Sequence, residues 1–135
     1  MAPLAAQQLQ EILGANFAPW VQDLGLRVES LGSDSALLRL PFSERLVRVG
    51  GVVCGQALMA AADTACVLAL AASFGEFRPV ATVAQNISLL RPVTNDDLLV
   101  EAHVQVAFIS AGRARPIPKP LRIAMQADQE AGGGA

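Results

Sequence analysis

The chain predicts an α+β fold in which a largely antiparallel sheet wraps one long apolar helix. Three observations carry that expectation. Between Arg48 and Glu76 the only charged residue is Asp63, and Ala fills half of residues 57–72, the best helix former over the longest apolar run. Stretches on both sides alternate apolar and polar residues, the period of a half-buried strand. Runs of strands around a single apolar helix are the α+β pattern.

The elements follow in order. Leu4 to Phe17 places Leu4, Leu9, Ile12 and Leu13 near one helical face, Gly14 weakens the end, and Pro19 and Trp20 close it. Gly25 to Leu31 alternates as a strand, Gly32-Ser33-Asp34 is a turn, and Ser35 to Phe42 is a second strand, so the two predict a hairpin. Ser43 to Gly51 is a polar, Gly-rich loop, and Gly55 to Phe74 is the long helix. Pro79 to Leu90 reads as a strand through Val80, Thr82, Val83 and Ile87. Asp97 to Ile109 alternates more cleanly, and Lys119 to Ala127 is a candidate last strand. The expectation is one domain over residues 1–135, with residues 114–135 atypical. There Pro116, Pro118 and Pro120 remove ladder donors and cannot sit in a central strand, and a Gly-rich tail follows.

Composition removes several function classes. Of the 135 residues, 53% are hydrophobic and only 16% charged, with a net charge of −2. That balance excludes a nucleic-acid binder acting through bulk positive charge and argues against disorder. The apolar excess, in so short a chain, points to a surface covered by another subunit. Two cysteines, Cys54 and Cys66, and one histidine, His103, cannot make a Cys/His zinc site, and no metal is expected. Twelve helical residues separate the cysteines by roughly 18 Å, too far for a disulfide. The reading is a reduced, cytosolic protein without a signal peptide. A membrane span is the rival account of the long apolar run. It is set aside because Asp63 sits near its middle and Ala gives little insertion drive.

Asp63 is the most informative residue. Gln56, Met59, Ala60, Asp63, Cys66, Val67 and Leu70 share one helical face, which leaves Asp63 as the single acid in an apolar groove. It is either a catalytic carboxylate or an acid bonded to a neighbouring hydroxyl or amide. At the helix start, Cys54-Gly55-Gln56 offers free N–H groups and partial positive charge to an oxyanion or a thioester carbonyl, and Gly55 has no side chain to block the approach. The plain alternative is an ordinary glycine at a helix start. Cys54 is a rival nucleophile, but His103, the only base for it, looks outward from its strand. Cys66 reads as a small core residue.

Cys54-Gly55-Gln56-Ala57-Leu58-Met59-Ala60-Ala61-Ala62-Asp63-Thr64-Ala65 resembles the helix start of the PaaI-like hotdog-fold acyl-CoA thioesterases. That family shows His-Gly-Gly and then a helix with Ala-Asp-Thr-Ala, its Asp nine residues after the His, as Asp63 is nine after Cys54. Val83 to Val93 resembles the family's strand ending in Leu-Arg-Pro, and Ala111-Gly112-Arg113 resembles its later Gly-Arg. The likeness spans roughly Leu4 to Arg113.

The resemblance implies a hotdog fold whose subunits pair as a homodimer or homotetramer, with active sites at the dimer interface and no membrane or nucleic-acid partner. It implies thioester hydrolysis with Asp63 as nucleophile or general base, the Gly55 N–H on the carbonyl oxygen, and Thr82 orienting water or carboxylate. Coenzyme A enters only as part of the substrate, with no other cofactor. Cys54, Gln56, Met59, Arg48, Arg91 and Arg113 are the candidate substrate contacts, Arg91 and Arg113 for the phosphates. The acyl pocket is expected to be lined by Met59, Leu58, Val67 and a partner's strands. Gly55 and Asp63 lie roughly 12 Å apart along one helix, so one carbonyl can meet both only across two facing helices. The chain departs from the family at Cys54, in place of the His, at Gln56, in place of the second Gly, and at Arg48, where some relatives carry Asn. Val49-Gly50-Gly51 mimics the glycine string but lies five residues too early. These losses leave a second reading, a non-catalytic acyl-CoA binding or assembly module. A hydratase is disfavoured for want of an Asp/His pair.

Overall fold

The computed structural model describes residues 3–82, 84–107 and 117–127. Helix α1 (Ala6–Asn16) starts where the Gln8 side chain accepts from Ala5 N–H, and it buries Leu9 and Leu13. A four-residue helix, α2 (Pro19–Gln22), follows where the sequence suggests only a closure. Strands β1 (Arg27–Leu31) and β2 (Ser35–Leu40) make the expected hairpin. The 43–51 loop holds more than expected. A 3-10 turn over Glu44–Leu46 leads into a small ribbon of β3 (Val47–Arg48) and β4 (Val52–Val53). The long helix α3 is Gly55–Phe74, ended by Gly75 in the left-handed region at φ 73°, which glycine enters without strain. Strands β5 (Leu98–Ala107) and β6 (Ile117–Ala127) complete the chain.

The main sheet runs β1-β2-β5-β6, all antiparallel. Its inner face pairs Ala36 with Ala102, Leu38 with Val100 and Leu40 with Leu98, all buried. Helix α3 lies on that face against β2 and β5 and contributes Ala57, Ala61, Ala65, Leu68 and Ala69. Small Ala side chains let the helix backbone approach the sheet, so α3 is the core helix and not a membrane span. Helix α1 covers β1 and the side of α3. Gln10 fixes it there, donating to Leu26 C=O and accepting from Val28 N–H.

One expectation needs revision. Residues 79–82 and 84–90 pair with no strand among the described residues; Val83 lies outside them. The segment instead runs along α3 in the opposite direction. Thr82 meets Asp63, Gln85 reaches Met59 C=O, and Leu89 packs at Gly55. Pro118 and Pro120 fall on β6, an edge strand among the described residues, where proline is tolerated, in keeping with their exclusion from a central strand.

Candidate active site

The amide end of α3 is held from two sides. Val53 N–H donates to Val93 C=O at 2.9 Å, and Cys54 N–H donates to Leu46 C=O at 2.8 Å. Ala57 and Leu58 then turn their N–H groups back onto Cys54 C=O. Gly55 and Gln56 are left with N–H groups that find no acceptor among the described residues, as the first turn of a helix requires. A Cβ on Gly55 would stand 3.1 Å from Leu89 Cδ1. A side chain there would press on the tip of Leu89, which packs beside this helix end.

Two turns further on, Asp63 is half-buried on the side of α3 turned away from the sheet. Thr82 Oγ1 donates to Asp63 Oδ1 at 2.6 Å. The sequence left open an acid in a groove or an acid bonded to a hydroxyl, and the structure makes it both. Asp63 and Thr82 stand in a cleft of about 490 Å3, also lined by Asn16, Phe17, Val67, Phe77, Pro79 and Val80. The end of α1, the middle of α3 and residues 77–82 form its walls. Cys66, one turn beyond the acid, has its thiol pushed up to about 12, first by burial and then by the neighbouring Asp63 charge. It stays protonated and is no nucleophile.

Of the residues singled out from sequence, Asp63 and Thr82 are brought together. Gly55 sits at the amide end of the same helix, eight residues earlier and roughly 12 Å away along the axis. Cys54 is half-buried with its side chain packed against the core. Its one histidine stands on β5, where His103 Nε2 is 2.9 Å from Glu101 Oε1, so no Cys–His pair forms. Gln56 is exposed, and Met59 is 39% exposed. Arg48 is exposed and turns its guanidinium onto Val49 C=O within its own loop. Arg91 is exposed, and Arg113 lies outside the described residues. Of the residues expected to line an acyl pocket, Val67 stands on this cleft, Leu58 is 5% exposed and belongs to the core, and Met59 lies on the exposed side of α3 outside the cleft. Asn16, Phe17, Phe77, Pro79 and Val80 were missed. Three segments, the first and last some sixty residues apart, make the cleft, and no local spacing marks such a pairing.

The thioesterase superfamily model matches residues 50–109, which hold the amide end of α3, Asp63 and Thr82. A search of the curated proteins finds no match. Among solved structures, a thioesterase from Haemophilus influenzae superposes with a TM-score of 0.72 at 23% identity, covering 94% of this chain and 82% of its own. A conserved protein from Pseudomonas aeruginosa gives 0.62 at 28% identity over 82% and 91%. The Escherichia coli PaaI protein of the phenylacetic acid degradation operon gives 0.68 at 21% identity over 92% and 83%. The architecture expected from the sequence, a hotdog fold, is the one found.

Proposed function

From a PaaI-like hotdog chain with thioesterase-superfamily sequence over residues 50–109, we propose an enzyme that hydrolyses acyl-CoA or aryl-CoA thioesters without a metal. The observation that carries this reading is the Thr82–Asp63 hydrogen bond in a cleft of mixed polar and apolar lining. Thr82 holds one carboxylate oxygen and leaves the other to act. Either Asp63 attacks the thioester carbon, the bond to sulfur breaks to release the coenzyme A thiolate, and water then hydrolyses the acyl anhydride on Asp63 to free the acid; or Asp63 takes a proton from the water that attacks and passes it to the departing thiolate as that bond breaks. The Gly55 N–H receives the negative charge that builds on the carbonyl oxygen, a contribution of about 3 kcal/mol.

Gly55 and Asp63 of one helix cannot serve the same carbonyl, so the site is composite. The amide end of one protomer's α3 faces the acid of its partner. The exposed apolar side chains beside this face, Met59, Val80, Leu89 and Leu90, supply the surface for that pairing, as a homodimer or a dimer of dimers. Gln56, Met59 and Cys54 then border the thioester, and Arg48 and Arg91 meet the phosphates of coenzyme A. Both cysteines are free, which suits a cytoplasmic setting.

Thiol release from a panel of CoA esters, with Asp63→Asn in parallel, tests the chemistry. Hydrolysis by the parent and not the variant is expected. Binding of the esters with no release by the parent would instead establish the binding-module reading. Mixing tests the shared site. Asp63→Asn and Gly55→Val chains, each inactive alone, should regain activity when co-assembled, because one site of each mixed dimer keeps both groups. A mixture as inactive as its parts would place the two groups in separate sites.

A further inference from the structure

We propose that Leu89 is a positioning residue for the oxyanion site: its side chain keeps water off the Gly55 N–H and leaves that donor to the thioester oxygen. The inference rests on the thioesterase reading and adds a residue to it. Gly55 N–H has no acceptor among the described residues, so water is its competitor for a ligand. Leu89 Cδ1 stands 3.1 Å from where a Gly55 Cβ would be. It is therefore no more than roughly 4.6 Å from the Gly55 Cα, one carbon–carbon bond further on. Carbons in contact stand about 3.5–4.0 Å apart, and no water molecule fits between these two. A Cα–Cβ bond tilts toward the amino end of its helix, the end toward which the free N–H points. The Leu89 tip thus stands on the side that this N–H faces.

The chain pins Leu89 there from both directions. Before it, Thr82 donates to Asp63 Oδ1 and Gln85 to Met59 C=O. After it, Val93 C=O accepts from Val53 N–H at 2.9 Å. The next residue, Leu90, is 89% exposed, whereas Leu89 rests its tip on the helix end and is 54% exposed. An apolar tip offers the amide no hydrogen bond of its own. A donor kept from water acts more strongly on the charge that builds on an oxygen. The outer half of Leu89 lies in solvent, which gives the tip room to yield when the thioester enters.

Amide hydrogen exchange in the free protein reads the cover directly. In Leu89→Ala the Gly55 and Gln56 amides should exchange several-fold faster. Ala57 and Leu58, which bond Cys54 C=O, should keep their parental rates. Turnover of the CoA ester cleaved fastest reads the consequence. Leu89→Ala should lower kcat about tenfold with a smaller change in KM, part of what losing such a donor outright costs. Leu89→Met, still apolar and of similar volume, should stay within about twofold of the parent. Leu89→Asn, similar in size but hydrated, should fall with Leu89→Ala. Three results overturn the inference: unchanged exchange at Gly55 in Leu89→Ala, acceleration of all four amides alike, or equal kcat in the Met and Asn variants. The last two mark a side chain that only packs. Release from no CoA ester by the parent overturns the thioesterase reading and the role in turnover with it, while exchange still reports whether Leu89 covers the amide.

Discussion

Helix α3 has two faces of similar composition and opposite fate. Ala57, Ala61, Ala65, Leu68 and Ala69 are sealed against the sheet. Gln56, Met59, Ala60, Asp63, Cys66, Val67 and Leu70 are half-buried or exposed, screened in part by residues 79–90. A helix apolar all round is normally enclosed all round. Here the chain encloses one side and leaves the other half-buried or exposed. Stability is expected to reside in the first face and activity in the second.

That division breaks most visibly at Asp63. Asp63→Asn should lower turnover by roughly two to four orders of magnitude while circular dichroism and urea midpoint stay near those of the parent. A variant that hydrolyses at the parental rate would remove the acid from the mechanism. On the sealed face, Leu68→Ala should cost about 3 kcal/mol in urea unfolding, because it opens a cavity in a site with no solvent to fill it. The folded fraction should keep its turnover, and a matching loss of kcat would show the faces to be coupled. Thr82→Val keeps the shape and removes the hydroxyl that orients the acid. It should reduce kcat by about tenfold with little change in stability.

The smallest effect is electrostatic. The thiol of Cys66 ionises near 9.0 in the unfolded chain and near 12 in the folded one. Between those values the unfolded state has lost a proton that the folded state still holds. Stability is thus complete below pH 9.0 and falls as pH rises through the window. Cys66→Ala should flatten that decline in urea melts across the same range. Asp63→Asn, by removing the charge beside the thiol, should speed alkylation of Cys66 at pH 10. An unchanged alkylation rate would mean that burial alone holds the proton.

How much of this could be read from residues differs along the chain. Helix α3 was legible to its ends because charge is absent from residues 49–75 except at Asp63, and Gly75 stops it. The Asp63–Thr82 pairing was legible through the likeness to known thioesterases. Residues 79–90 were misread as a sheet strand. Their apolar spacing is compatible with either support, and only the fold chooses between a sheet and the side of a helix. The cleft was invisible for a related reason. Asn16 and Phe17 follow an unremarkable helix, Phe77 and Pro79 an unremarkable turn, and what joins them is the path of the chain around α3.

The two outer rims of the sheet carry a last consequence. Along β1 the amide of Gln10 occupies a carbonyl and an N–H that another strand would want, and along β6 Pro118 and Pro120 interrupt the row of donors. Neither rim is a good template for adding strands one after another. Growth of the described sheet by strand addition is thereby disfavoured at both rims.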